Sequence, residues 1–294
     1  LRMVGPNCMG VFNPRLGLRN FENQYHGDGG PVGFLSQSGT HGINFSVVGY
    51  VNGIKISKMI SYGNAVVLDN PDYLEYLLQD EQTKIIGMYV EGLKDGRRFF
   101  KLVKKVASVK PVVIWKGGAT EAGQRATSSH TGSLAESSVI WDALIKQVNA
   151  IKAESLEEMV DAVKTLVYCP PLHGYRVGLV SMTGGQSVVI TDSFVRAGLE
   201  VPLLTTRSYE KLSSFFNIVG GSYKNPIDMG QNWVGPDSTK RLLDIMEEDQ
   251  NVDSIILELS VNFLHRRFRG DADFEAKFFE TLASQVKRCY GYAN

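Results

Sequence analysis

Residues 32–39 read VGFLSQSG, and residues 177–184 of the same chain read VGLVSMTG. Each stretch opens with a short apolar run, which is typical of a buried strand, and continues into small polar residues that mark a tight turn. The match continues without a gap to GI at 53–54 and GL at 198–199. We interpret the two stretches as copies of one strand–turn–helix unit, each of which begins a domain.

Strand and helix patterns alternate between these stretches. The apolar patterns predict strands at 32–36, 56–60, 84–91 and 111–115. They predict a helix that follows a turn at 37–40 and runs to about residue 48, and further helices at 70–78, 96–106, 133–148 and 155–167. Asn70-Pro71 is a favourable N-cap and first-turn pair for the second of these helices. Strands that alternate with helices form a mainly parallel sheet covered on both faces. The sequence therefore predicts an α/β protein with two tandem doubly wound parallel-sheet domains.

A proline-containing stretch separates the two patterns. Residues 168–174 read YCPPLHG, which is typical of a linker. We expect a connector at 1–28, a first domain at 29–168 and a second domain at 175–294. In the first domain the helix at 96–106 leads into a further strand, whereas the pattern in the second domain stops after a helix at about 274–288. We therefore expect a second domain that is truncated at its C-terminus, in a piece of a longer polypeptide or a subunit of a larger assembly.

Composition excludes several classes of function. The 294 residues include 31 Lys and Arg against 31 Asp and Glu, so bulk charge does not favour nucleic acid as a partner. No apolar run approaches the roughly 20 residues that span a bilayer. Three cysteines lie far apart, at Cys8, Cys169 and Cys289. We expect neither a disulfide framework nor a metal site, and a reducing, cytoplasmic location.

Two turns join a predicted strand to the start of a helix. Their small polar residues are Ser36, Ser38, Gly39 and Thr40 in the first turn, and Thr183, Gly184 and Gly185 in the second. A helix N-terminus carries unpaired N–H groups and partial positive charge, and it favours phosphate or carboxylate. Each turn is a candidate anion site, and both together are candidates for one shared anion. The alternative at each turn is a capped helix without a ligand.

Residues 117–133 read GGATEAGQRATSSHTGS and contain no large apolar side chain. They follow a predicted strand, at the sheet edge where open α/β folds bind ligands, and we expect a long loop. His130 lies among the hydroxyl residues Ser129 and Thr131 and next to Gly132. A ring nitrogen of histidine can accept a phosphoryl group, and the surrounding donors can bind its oxygens. The alternative is a surface loop with an incidental histidine.

Glu91 ends the strand predicted at 84–91 and lies at the same edge. A carboxylate there can accept a hydrogen bond from one nitrogen of His130 and leave the other nitrogen nucleophilic. The alternative is a solvated glutamate at a strand end. The other histidines, at His26, His41, His173 and His265, have no metal-like spacing, and we interpret them as structural or surface residues.

Four motifs together resemble the nucleoside-diphosphate-forming acyl-CoA synthetases, the superfamily of succinyl-CoA synthetase. They are GPNCMGV at 5–11, GFLSQSGT at 33–40, SHTGSLA at 129–135 and NPID at 225–228. In that order they are similar to the end of a CoA-binding domain, the start of a first flavodoxin-like domain, a phosphohistidine loop and a signature of a second flavodoxin-like domain. The domain order is similar to that of the ADP-forming acetyl-CoA synthetases.

The resemblance implies a fold and a chemistry. It implies two tandem flavodoxin-like domains, and a reaction in which acyl-CoA and phosphate give an acyl phosphate and CoA. His130 would then take the phosphoryl group, with Glu91 as its partner, and pass it to ADP. The two turns would bind the phosphate from opposite sides. Ser129, Thr131, Gly132, Asn225 and Asp228 would be supporting residues.

The resemblance also implies ligands and partners that this chain does not hold alone. Coenzyme A and inorganic phosphate would be bound, and ADP or ATP with Mg²⁺ would bind an ATP-grasp domain. That domain and most of the CoA-binding domain would lie elsewhere in the polypeptide or in a partner subunit. We expect small-molecule substrates, an oligomer, and neither nucleic acid nor membrane as a partner.

Two other functions stay open at this point. One is a non-catalytic module that senses CoA or acyl-CoA, as in synthetase-like protein acetyltransferases, although relatives of that kind have lost the histidine. The other is an FMN carrier, because residues 36–40 loosely resemble a flavin phosphate loop. The second copy of the turn and His130 have no part in a flavin carrier.

Overall fold

A computed structural model describes residues 2–131, 138–169, 171–232, 236–267 and 271–290, with the backbone alone at 127–131, 138, 236, 263, 267 and 285–290. The chain divides into two compact units, Leu1–Cys169 and Pro170–Asn294. Gly132, one of the predicted supporting residues, lies outside the described residues.

A six-stranded sheet forms the centre of the first unit. Its strands are β1 (Gly10–Phe12), β2 (Val32–Ser36), β3 (Ile56–Ser61), β4 (Ile85–Val90), β5 (Val112–Lys116) and β6 (Ile151–Ala153). The spatial order is β1-β3-β2-β4-β5-β6. Strands β2 to β6 are parallel, and β1 pairs antiparallel with β3 at the edge. The order of the five parallel strands is that of flavodoxin-like folds, which confirms the predicted fold class.

Helices cover both faces of this sheet. They are α1 (Gly39–Val51), α2 (Asn70–Gln79), α3 (Gly96–Ala107), α4 (Glu121–Thr131), α5 (Ser138–Val148) and α6 (Leu156–Tyr168). One core contains side chains from α2, α3 and α5, and the other contains side chains from α1 and α6. Every residue of β2 and β4 is buried, because a parallel sheet between two helical layers has no solvated face.

The packing is tight at the centre of the sheet. Phe34 of β2 stacks on Phe45 of α1 with ring centroids 4.0 Å apart. Gly87 of the adjacent strand leaves space for this pair, because a Cβ at residue 87 would lie 2.7 Å from the Phe34 ring. The stacked pair fixes α1 against β2, and it therefore fixes the turn that joins them.

The N-terminus of α2 differs from the prediction. Asp69, rather than Asn70, is the N-cap residue, and it forms a capping box with Asp72. The Asn70 side chain is fully buried and accepts a hydrogen bond from the hydroxyl of Tyr62. The Asn70 side chain, which the local sequence predicts to cap the helix, therefore makes a tertiary contact instead.

The second unit repeats the start of the first. Its described strands are β7 (Val177–Ser181), β8 (Ile227–Asp228) and β9 (Ser254–Leu257), all parallel, in the order β8-β7-β9. Its helices are α7 (Gly184–Arg196), α8 (Thr206–Ser213), α9 (Pro236–Glu247), α10 (Val261–Arg267) and α11 (Ala272–Tyr290). Strand β7 lies between its two neighbours, as β2 does in the first unit.

Among the described residues, no helix is both long and apolar enough to span a membrane.

Candidate functional site

The strand order of the first unit reverses between β2 and β4. The chain leaves β2 for β3 on one side and then crosses to β4 on the other side. Open α/β folds bind ligands at such a point, outside the carboxyl ends of the strands. The first turn leaves β2 here, and Glu91 follows β4. The N–H of Gln37 in the turn donates to the C=O of Tyr89 at 3.1 Å, so the structure brings these two predicted elements together.

The first turn presents the N-terminus of α1. Ser38 is the N-cap residue, with φ −103° and ψ 127°, and its Oγ accepts the N–H of His41 at 3.4 Å. Ser36 is fully buried, and its Oγ donates to the C=O of Ser38 at 2.6 Å, so this hydroxyl shapes the turn. Gly39 and Thr40 begin the helix, where the partial positive charge is greatest.

Hydrogen bonds to backbone groups at residues 91 and 92 fix the position of Glu91. Its N–H and the N–H of Gly92 both donate to Oε1 of Gln37, the latter at 2.9 Å. Its C=O accepts the Lys116 ammonium at 2.8 Å. The residue is 8% exposed, yet Oε2 is buried with no hydrogen-bond partner among the described residues. A buried acceptor without a partner costs about 1–3 kcal/mol, which favours a functional reason for it.

An aromatic cluster lies beside Glu91. The His41 ring packs 4.3 Å from the Tyr89 ring and 4.5 Å from the Trp115 ring. Burial lowers the pKa of His41, and its Nδ1 is buried without a partner among the described residues. Burial, and then the charge of Glu91, raises the pKa of Tyr89. Burial and the position of residue 41 in the first turn of α1 therefore both favour the neutral imidazole over the cation.

His41 is a residue that sequence reasoning assigned to structure or surface. The signal that could have found it is its position in the helical turn directly after the candidate anion site. Its contacts with Tyr89 and Trp115 come from different strands, so spacing along the chain does not reveal them.

We expect the fluorescence of Trp115 to report the protonation of His41, in a Trp141→Phe, Trp233→Phe background. A cationic imidazole quenches a neighbouring indole, so emission should fall with acid, with a midpoint below the ordinary pKa of 6.5. The folded pKa lies below the unfolded one, so protein stability should also fall as pH decreases below 6.5. A midpoint at or above 6.5, or a transition that persists in His41→Asn, contradicts this assignment.

The segment that carries His130 is not the loop that the sequence predicted. Residues 121–131 form α4, with the hydroxyl of Thr120 accepting the N–H of Gly123 at 3.1 Å. The two alanines and the hydroxyl cap favour a helix here, although no apolar stripe indicates it. Ser129, His130 and Thr131 lie at the C-terminal end of α4, beyond the carboxyl end of β5.

The second turn has the same local structure but different surroundings. Thr183 is the N-cap residue of α7, and its Oγ accepts the N–H of Gln186 at 3.4 Å. Gly184 follows it, and a Cβ there would lie 2.6 Å from Oδ2 of Asp228. Asp228 Oδ1 accepts the N–H of Gly230 at 3.0 Å. A carboxylate of the protein therefore already lies at this helix N-terminus.

Glu258 is a further carboxylate at the second turn that sequence reasoning missed. Its Oε2 accepts the hydroxyl of Ser181 at 2.8 Å and the N–H of Met182 at 3.0 Å. Both bonds run to the turn itself, so this carboxylate is tied to the structure. Gly185 follows Gly184 in α7 and faces open space, because a Cβ there would have no described atom within 4 Å.

Asn225, a predicted supporting residue, connects three segments of the second unit. It is 5% exposed, and its side chain accepts from the N–H of Leu179 and donates to the C=O of Val177 and of Pro202. These bonds join the start of β8 to β7, which is a structural task. Among the described residues no group of His, Cys, Asp and Glu is arranged to bind a metal ion.

Comparisons with known proteins agree with the motifs. Residues 29–166 match the family model of the succinyl-CoA ligase like flavodoxin domain. The chain is 38% identical over 256 residues to the alpha subunit of ADP-forming acetate–CoA ligase II of Pyrococcus furiosus, covering 87% of this chain and 55% of the relative. It is 35% identical to ADP-forming acetate–CoA ligase I of Archaeoglobus fulgidus, covering 88% of this chain and 37% of the relative.

A solved structure is similar as well. The acetyl-coenzyme A synthetase 1 of Ca. Korarchaeum cryptofilum, solved in complex with phosphate and ADP, matches with a TM-score of 0.78 and 30% identity. The match covers 89% of this chain and 57% of that one. The chain therefore spans between about a third and somewhat more than half of the proteins that it matches.

Proposed function

Since this chain belongs to the superfamily of nucleoside-diphosphate-forming acyl-CoA synthetases, we propose that it is the phosphoenzyme core of such an enzyme. The complete protein interconverts acyl-CoA, phosphate and ADP with a carboxylic acid, CoA and ATP. His130 carries the phosphoryl group between the acyl phosphate and the nucleotide. Two relatives are named as ADP-forming acetate–CoA ligases, and these names support small acyl groups as the substrates in this proposal.

The observation that carries this proposal is the Glu91 carboxylate. Its Oε2 is buried, unpartnered among the described residues and located where the strand order reverses. A hydrogen bond from one imidazole nitrogen of His130 would satisfy it. That bond fixes the tautomer and leaves the lone pair of the other nitrogen free to attack phosphorus.

The phosphoryl group passes from inorganic phosphate to ADP in three steps. Phosphate oxygen attacks the thioester carbon, and the C–S bond breaks to give an acyl phosphate and CoA. The His130 nitrogen attacks phosphorus, the P–O bond to the acyl group breaks, and the carboxylate leaves. A phosphate oxygen of ADP then attacks the same phosphorus, and the P–N bond breaks to regenerate the imidazole.

The first turn contributes electrostatic stabilisation. The N-terminus of α1 at Ser38, Gly39 and Thr40 binds oxygens of the transferring phosphoryl group. The turn at Thr183, Gly184 and Gly185 is a second anion site in our proposal, and its action on the same phosphate stays a prediction. The nearby Asp228 makes this second site the weaker of the two for an anion.

Other parts of the complete protein supply the remaining ligands. We assign CoA to a CoA-binding domain and ADP or ATP with Mg²⁺ to an ATP-grasp domain, in the same polypeptide or in a partner subunit. The partial span of the matches supports this assignment. The cytoplasm is the proposed location, because three dispersed cysteines are typical of a protein in a reducing compartment.

The proposal is tested by phosphorylation of the complete protein. Incubation with radiolabelled ATP and Mg²⁺ should transfer label to this chain, and the label should be stable in base and released by acid, as a phosphohistidine is. Acyl phosphate that carries the radiolabel on phosphorus should give the same phosphoenzyme with protein that has not been exposed to ATP. No label from either donor would contradict the proposal.

A further inference from the structure

Gln37 follows Ser36 in the first turn, and Met182 follows Ser181 in the second. Each of these side chains accepts a hydrogen bond from backbone N–H groups just beyond the end of a neighbouring strand. In the first unit, Oε1 of Gln37 accepts the N–H groups of Glu91 and Gly92. In the second unit, Sδ of Met182 accepts the N–H of Ser260 at 3.0 Å. The same side-chain-to-backbone contact therefore occurs in both units. The acceptor is a strong one, an amide oxygen, in the first unit and a weak one, a thioether sulfur, in the second.

Strand register shows that the two contacts are equivalent. Leu35 pairs with Met88, and its counterpart Val180 pairs with Leu257. Counting on from these pairs, Ser260 takes the position of Glu91. The second unit therefore has a hydroxyl residue where the first has a carboxylate.

The two units use their carboxylates differently. Counted from the same pairs, Glu258 takes the register position of Tyr89, and the hydroxyl of Ser181 and the N–H of Met182 donate to it. In the first unit the N–H of Gln37, the counterpart of Met182, donates to the C=O of Tyr89 instead of to a carboxylate. The Ser36 hydroxyl donates to the C=O of Ser38 at 2.6 Å, and the Ser181 hydroxyl lies 3.2 Å from the equivalent C=O of Thr183. The Glu91 carboxylate is left with a buried oxygen that has no partner among the described residues.

We propose that Gln37 is a positioning residue that presents the Glu91 carboxylate. Its amide oxygen, shared by two consecutive N–H groups, fixes the backbone at residue 91 and directs Oε2 away from the turn. Gln37 also belongs to the turn that precedes α1, so it sets the distance between the anion site and the carboxylate. This inference rests on the proposed function, in which Glu91 orients His130.

The test variant is Gln37→Met, which installs the residue that the second unit carries at this position. Methionine has a similar length and is accommodated at Met182, but its sulfur is a weak acceptor. In the complete enzyme we expect kcat to fall about 10-fold to 10²-fold, as for a small misplacement of a catalytic group, with KM for phosphate nearly unchanged. Gln37→Asn, which is one methylene too short, should show the same loss.

Gln24 provides the matched control. It is 1% exposed, and its Oε1 also accepts two consecutive N–H groups, those of Asn20 and Phe21. Gln24→Met removes the same kind of contact away from the turn. It should lower thermal stability and leave kcat per folded protein within about twofold.

A double-mutant cycle separates positioning from structure. If Gln37 acts through Glu91, Gln37→Met should cost nothing further in a Glu91→Ala background. An equal loss in both backgrounds, or an unchanged kcat in Gln37→Met and Gln37→Asn, overturns this inference alone. A parent enzyme that gains no base-stable, acid-labile phosphate overturns the proposed function, and this inference with it.

Discussion

Replacing His130 with Asn in the complete enzyme should abolish the acid-labile phosphate and lower turnover by at least about 10³-fold. The amide is similar in size to imidazole but has no nitrogen lone pair that attacks phosphorus. Residue 130 ends a polar helix with no apolar stripe, so the melting temperature should stay within about 2 °C. The measurements are radiolabel per protein and the steady-state rate of ATP formation from acyl-CoA, phosphate and ADP.

His173→Asn is the control for this experiment. His173 is exposed near the start of the second unit, and its replacement should leave label and rate unchanged. Retention of activity by His130→Asn, with binding of acyl-CoA, would instead identify a sensing module. That result would remove the phosphoenzyme from the function of this chain.

Glu91→Gln should lower kcat by about 10²-fold to 10³-fold. The amide preserves shape but offers a neutral acceptor, which orients and stabilises a charged imidazole less than a carboxylate does. The free energy of unfolding should be equal or higher, because the buried oxygen of Glu91 has no partner among the described residues. Loss of activity together with unimpaired stability is the signature of a site held for function.

Glu81→Gln is the matched control, because Glu81 is an exposed carboxylate before the same strand. It should change neither rate nor stability. If Glu91→Gln instead melts at a clearly lower temperature and its rate per folded protein is normal, Glu91 is a structural residue and His130 has another partner.

The sequence predicts four of the five parallel strands of the first unit, β2 to β5, to within one or two residues, because each is a short apolar run between turn residues. It does not predict β1 or β6, which have three residues each and form only because a neighbouring strand pairs with them. It also misses α4. The residues 121–131 have helix-forming alanines but no apolar face, so the periodicity that identifies the other helices is absent.

The site is predictable in its parts and not in its contacts. Glu91 and the turn at Ser38 follow from their positions at strand ends, because parallel strands share one carboxyl edge. The bond between Gln37 and the backbone of Glu91 spans 54 positions of sequence, and only the register of β2 against β4 creates it. The packing of His41 on Tyr89 and Trp115 depends on the same register and on α1, so local pattern reveals neither.

The short antiparallel strand Gly10–Phe12 has a practical consequence for anyone who shortens this protein. It occupies the outer side of β3, and Phe12 is fully buried. A fragment that starts at residue 29, where the family match begins, loses this cover and exposes backbone N–H and C=O groups of β3 that no longer pair with a strand. Because an uncovered edge strand can pair with another chain, we expect such a fragment to self-associate more readily than a chain that keeps the first 28 residues.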